Sequence, residues 1–137
     1  GIELSGDGKY LYWQAIKGDT LYRIETAALL GKDASGKVEH CGLNGVSDGL
    51  LIPRGTNTML LTSVEENAVR MRDLDQGPGA PIQTLVQDER LRWPDTFSQG
   101  PDGTVYVTTS HIQDSAFFKP DAPAALPTEL WKVKPAG

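Results

Sequence analysis

Trp93-Pro94-Asp95-Thr96-Phe97-Ser98-Gln99-Gly100-Pro101-Asp102-Gly103-Thr104-Val105-Tyr106-Val107-Thr108-Thr109 holds two strand-forming runs joined by a tight turn. Pro101-Asp102-Gly103 supplies the turn, with Gly103 free to take positive φ because it has no Cβ. Thr104 to Thr109 is dense in the β-branched and aromatic residues that suit a pleated surface. The stretch reads as a β-hairpin whose first strand opens at Asp95. The same pattern stands twice upstream. Gly1 to Ser5, the turn Gly6-Asp7-Gly8-Lys9 and Tyr10 to Ala15 form one copy; Asp48 to Ile52, the turn Pro53 to Asn57 and Thr58 to Ser63 form the other.

Each upstream hairpin is followed by two further strand-like runs. In the first unit these are Thr20 to Ile24 and Lys37 to Cys41, separated by Glu25 to Leu30, whose composition suits a single helical turn, and by the loop Gly31 to Gly36. In the second they are Asn67 to Arg72 and Ile82 to Gln87, joined through the turn Asp73 to Pro81. The equivalent residues Leu11, Met59 and Val105 lie 48 and 46 residues apart. A period of that length containing four strands is the signature of a β-propeller blade. The expected architecture is all-β, one domain over 1–137, with blades at about 1–42, 46–88 and 93–137.

The third unit departs from the pattern. After its hairpin comes a long excursion from Ser110 to Pro127, then Glu129 to Val133, and the few residues to Gly137 are too short for a fourth strand. Propellers close with about four to eight blades, so this half-propeller with an incomplete last blade needs a complement. Two copies around a two-fold axis would make six blades, and isologous dimers are the commonest closed assemblies. The expected partner is therefore a second copy of the chain, as a homodimer or other homo-oligomer.

Composition narrows the function classes. The net charge is −5 and Lys and Arg form no run, so nothing is set to neutralise phosphates, and neither nucleic acid nor a membrane is an expected partner. No stretch approaches the roughly 18 apolar residues of a membrane-spanning helix. The single cysteine, Cys41, excludes an internal disulfide and a cysteine-built zinc site. The chain begins at Gly1 in a strand-like run without an initiator Met, and is read as a processed or truncated product. No G-x-S-x-G elbow, phosphate-cradling glycine loop or paired histidines at metal spacing is present, which disfavours nucleophilic and phosphoryl-transfer enzymes.

Gly1 to Trp13, Gly18-Asp19-Thr20-Leu21-Tyr22-Arg23-Ile24, Asp48-Gly49-Leu50-Leu51-Ile52 and Leu91-Arg92-Trp93-Pro94-Asp95-Thr96 resemble the major royal jelly protein/yellow family over nearly the whole chain. Trp-Pro-Asp-Thr and Asp-Gly-Leu-Leu are the more specific segments. The resemblance implies the C-terminal half of a six-bladed propeller, a secreted or periplasmic setting, and a ligand held in the central channel. It also implies that the last blade is completed by an N-terminal strand, here one from a partner or from sequence outside residues 1–137. A few insect members are associated with dopachrome conversion. Related calcium-dependent lactonase propellers hold one ion with a Glu, Asn and Asp set.

Propeller geometry gathers candidate residues on one rim, because the residue opening a blade's first strand shares that rim with the loop joining its second and third strands. The rim so defined contains Asp48 and Asp95, which hold equivalent places in adjacent blades, Gln14 to Asp19, Glu65 and Asn67 in the turn Ser63 to Asn67, and His111 in the excursion. The candidate ligand-binding residues are thus Asp48, Asp95, Glu65, Asn67 and His111. The two carboxylates suit Ca²⁺ or an amine; equally, an Asp at a strand start can accept backbone N–H bonds. His111 suits ligand contact or general-base work. No resident metal or other cofactor is expected, with Ca²⁺ kept as the exception. His40 and Cys41 on an outer strand read as structural, Phe117 and Phe118 as a blade cap, and Trp13, Trp93 and Trp131 as packing between blades. The leading function is non-catalytic binding of a small molecule, of the yellow type; the alternative is a metal-assisted lactone hydrolase or tautomerase in the channel.

Overall fold

A computed structural model describes residues 1–123 and 127–134. Part of the Ser110 to Pro127 excursion and the end of the third unit at Gly137 lie outside the described residues. Three antiparallel sheets follow one another along the chain. The first contains β1 (Ile2–Leu4), β2 (Tyr10–Trp13), β3 (Thr20–Glu25) and β4 (Glu39–Leu43) in that order. The second contains β5 (Leu50–Leu51), β6 (Thr58–Ser63), β7 (Ala68–Asp73) and β8 (Gln83–Gln87). The third has three strands, β9 (Pro94–Gln99), β10 (Val105–Thr109) and β11 (Glu129–Val133). Every expected strand is present within a few residues of its expected bounds.

The local chemistry accounts for the hairpins. Gly8, Gly55 and Gly103 take φ of 71°, 77° and 84° in the three first-to-second-strand turns, a region where a Cβ is strained. Leu4 pairs Leu11 and Leu51 pairs Leu60, whereas Gln99 pairs Val105 across a shorter connection. Where the sequence suggests a five-residue strand from Asp48, β5 holds two residues. The reason is Thr62: its Oγ1 accepts from the backbone N–H groups of both Asp48 and Gly49 at 3.1 and 2.9 Å, turning the strand's entry out of the regular ladder. The short helical turn expected after Ile24 is a 3₁₀ segment, Thr26–Leu30.

Each sheet buries one face against the next. Tyr12, Leu21 and Cys41 of the first pack against Leu50, Ile52, Met59 and Leu61 of the second. On the opposite face of the second sheet, Leu60 and Val69 pack against Val105, Val107 and Val133 of the third, with Leu91 and the half-buried Trp131 closing the seam. Burial of this kind stabilises by roughly 25 cal/mol per Å² of apolar surface. β1 neighbours β5 and β5 neighbours β9, so the first strands line one side of the array.

The close approach of these strands is made of backbone. A Cβ on Gly1 would stand 2.7 Å from the carbonyl oxygen of Asp48, and a Cβ on Gly49 would stand 2.4 Å from the carbonyl oxygen of Asp95. The same glycine-to-aspartate contact thus recurs at both seams.

The two ends of the array differ. The outward face of the first sheet presents Ile2, Leu4, Leu11 and Trp13, the first two 67% and 49% exposed. That of the third presents Thr96, Ser98, Tyr106 and Thr108, with the exposed Leu130 and Lys132 beside them. Trp13, expected between blades, lies on the free face of the first sheet and stacks on Tyr22 with ring centroids 5.7 Å apart. Trp93 and Trp131 lie at the seam between the second and third sheets. Phe117, expected to cap a blade, is 85% exposed, and among the described residues it is Phe118 that reaches Trp93, at 6.0 Å between ring centroids.

Candidate functional site

The rim expected from blade geometry is present. Because β5 and β6 run antiparallel with Leu50 opposite Leu61, Asp48 and the β6–β7 turn come to the same end of the second sheet. In the third sheet Pro94 lies opposite Thr109, which brings Asp95 to the start of the loop containing His111.

Asp48 and Asp95 are drawn together from adjacent sheets. Burial pushes the Asp95 carboxyl above the ordinary aspartate range, and the negative charge of Asp48 adds to the rise. The Ser110 hydroxyl lies close enough to oppose it, yet Ser110 Oγ is buried and meets no partner in hydrogen-bonding geometry. Asp48 is held in place from across the seam, where Trp93 Nε1 donates to its Oδ2 at 2.9 Å. Trp93 reaches it from a left-handed backbone position, φ 53°, an unusual conformation for a bulky residue. The result is a carboxylate pair with an indole edge on one side and the Trp93–Phe118 aromatic pair beside it.

The loop that follows is tied down at its base. Backbone N–H groups of Ser110 and His111 donate to the carbonyls of Trp93 and Arg92 at 3.1 and 3.2 Å. Arg92 grips Asp114 through two parallel bonds, Nε to Oδ2 at 3.0 Å and Nη2 to Oδ1 at 2.9 Å, and Lys119 Nζ donates to the same Oδ1 at 2.6 Å. Hydrogen bonds from Lys119 and then Arg92 hold the Asp114 carboxyl below its usual range.

The remaining candidates stand apart from the pair. His111 occupies a left-handed position, φ 54°. Its Nε2 is buried without a hydrogen-bond partner, 3.7 Å from Glu129 Oε2 on β11. Glu65 is exposed in the β6–β7 turn. Asn67 ends that turn at φ 51°, a conformation Asn tolerates, and its carbonyl accepts from the Asp88 N–H. Among the described residues no three of His, Cys, Asp and Glu gather as a metal-binding group.

Sequence reading missed the parts of this site that are made across the seam. Trp93 reads as packing, although its N–H is the group that orients Asp48. Ser110 carries no motif. Arg92 and Asp114, 22 residues apart, give no periodic signal; the only hint is a bidentate-capable Arg beside the Trp-Pro-Asp-Thr segment and an acidic residue in the loop.

No family model matches the chain, and no curated protein does. Solved structures do. The chain is similar in fold to a luciferin-regenerating enzyme, at TM-score 0.66 and 16% identity, over 98% of this chain and 41% of that one. It is also similar to a streptogramin B lyase, at TM-score 0.55 and 19% identity, over 78% of this chain and 32% of that one. Both neighbours are β-propellers, so the three sheets are propeller blades. The chain spans less than half the length of either neighbour.

Proposed function

We propose that this chain binds a small organic molecule with a cationic head, without transforming it, at the rim where Asp48 and Asp95 meet, as a binding protein of the yellow/royal jelly type. The observation that carries this reading is the carboxylate pair itself. Burial and the negative charge of Asp48 raise the proton affinity of Asp95, and a cation between the two acids would relieve that crowding of charge. The Trp93–Phe118 rings beside them offer the π-faces that favour an organic ammonium over a bare metal ion. The fold neighbours include enzymes by name, and metal-assisted lactone hydrolysis or tautomerisation is the second reading. It is supported by the same two carboxylates, which would be the ligands of Ca²⁺. Ca²⁺ takes about six to eight oxygens, so most of that shell would have to come from other groups.

The channel belongs to a closed ring in this reading, and the ring is completed by a second copy. The two free faces suit that closure: a two-fold axis would set the apolar face carrying Ile2, Leu4 and Trp13 against the partner's third blade with its Tyr106 and Leu130. Light scattering that returned a monomer would overturn the dimer. Calorimetric titration with a panel of aromatic amines and their neutral alcohol analogues tests the site. Binding of amines alone, lost in Asp48→Asn, is the expected result. Equal binding of both series, or turnover of a lactone with bound Ca²⁺, would remove the non-catalytic reading.

A further inference from the structure

A second site lies away from the rim, between the outer strands of the first two blades. A cavity of about 80 Å³ is lined there by Tyr12, Arg23, Glu39, His40, Cys41 and Arg72, among others. Arg72 is 2% exposed. Its Nη1 donates to Asn44 Oδ1 at 2.7 Å, and its Nη2 to the carbonyls of Pro78 and Gly77 at 3.0 and 3.4 Å. Every one of these acceptors is neutral. Arg72 Nε is buried with no partner at all.

The charges around the cavity do not balance. Arg23 is matched by Glu39: Nε donates to Oε2 at 2.8 Å, and Nη2 lies 2.7 Å from the same oxygen in an ion pair. Burial raises the pKa of the Cys41 thiol, so that it stays neutral. Arg72 has no carboxylate among the described residues, and a guanidinium cannot shed its proton to escape burial. An unpaired buried charge costs several kcal/mol.

We infer that this cavity holds a small monovalent anion, of halide or formate size, against the Arg72 guanidinium that lines it. One negative charge balances the lining; a dianion would overshoot it and face Glu39. The volume excludes a phosphorylated metabolite. The cavity shares Tyr12, Arg23 and Leu74 with a groove of about 660 Å³ that provides a route in from solvent. Bound there, the ion fixes the Arg72–Asn44–Gln14 chain, whose far end reaches Gly18 and Gly45 through Gln14 Nε2 at 3.2 and 2.6 Å. The anion is thereby a clasp between the first and second blades, independent of the ligand proposed for the rim.

The test is a pair of measurements on the unaltered chain. Crystals soaked in sodium bromide should show an anomalous peak in this cavity, beside the Arg72 guanidinium. Thermal melting at constant ionic strength should rise by roughly 3–6 °C when bromide replaces gluconate, which is too large to enter. Asn44→Asp supplies a built-in carboxylate to the guanidinium, and its melting should become insensitive to the anion. Absence of bromide at Arg72, or bromide there with no change in wild-type melting, overturns the inference. So does an Asn44→Asp variant that responds to bromide as the wild type does.

Discussion

Trp93 Nε1 and Asp48 Oδ2 are joined by a 2.9 Å hydrogen bond across the seam between the second and third blades, 45 residues apart in the chain. The bond both orients the carboxylate and ties two blades together. Trp93→Phe keeps most of the ring and removes the donor. Hydrogen bonds to charged groups contribute about 1.5–3 kcal/mol, so urea denaturation should show a loss of that order. A loss under about 0.5 kcal/mol would mean that water replaces the indole at no cost.

Asp95 predicts a pH dependence with a definite sign. Its folded pKa is raised by burial and by Asp48, so the folded state holds the Asp95 proton more tightly than the unfolded chain does. The associated stability is fully present below the unfolded value, near 4, and is lost as pH rises through the folded value. Asp95→Asn removes that loss. The variant should melt above the wild type at pH 7, and the two curves should converge below about pH 4. A gap independent of pH would contradict the assignment.

Gly49 and Gly79 make a matched pair of substitutions. A Cβ on Gly49 meets the Asp95 carbonyl oxygen at 2.4 Å, whereas one on Gly79 meets nothing within 4 Å. Overpacking costs about 1–3 kcal/mol, and the obstacle at Gly49 is backbone that cannot turn aside. Gly49→Ala should therefore lower the unfolding free energy, read from the denaturation curve, by an amount at or above the top of that range. Gly79→Ala should leave it unchanged or raise stability by up to about 1 kcal/mol through the unfolded chain.

Arg92 anchors the loop that carries Phe117 and Phe118. Breaking its paired bonds to Asp114 with Arg92→Met should free that segment without unfolding the sheets. A partly exposed ion pair is worth about 1 kcal/mol at most, so chymotryptic cleavage after Phe117 or Phe118 should accelerate by about fivefold or less. Unchanged cleavage would show that Lys119 alone holds Asp114.

The blade repeat was legible because it rests on local chemistry. Gly8, Gly55 and Gly103 mark the hairpin turns, and the spacing of Leu11, Met59 and Val105 sets the register; each signal is complete within a few neighbouring residues. The rim was legible for the same reason, since Asp48 and Asp95 are equivalent points of the repeat. What escaped reading is made between blades. The bonds from Trp93 to Asp48 and from Arg72 to Asn44 join residues 45 and 28 positions apart, at distances unrelated to any strand period. The shortening of β5 escaped as well, because it depends on one hydroxyl of the facing strand, Thr62.

The glycine-to-aspartate contact acts as a gauge for the spacing between blades. At two successive seams main chain rests on main chain, so no side chain sets the spacing of the blades there. In the third blade the corresponding position, one residue after Asp95, is Thr96. Its side chain is a spacer where the other two blades have none. In the dimer proposed above, a neighbour seated against the third blade would stand off by the width of that side chain, giving two narrow joints and one wider one for each copy of the chain.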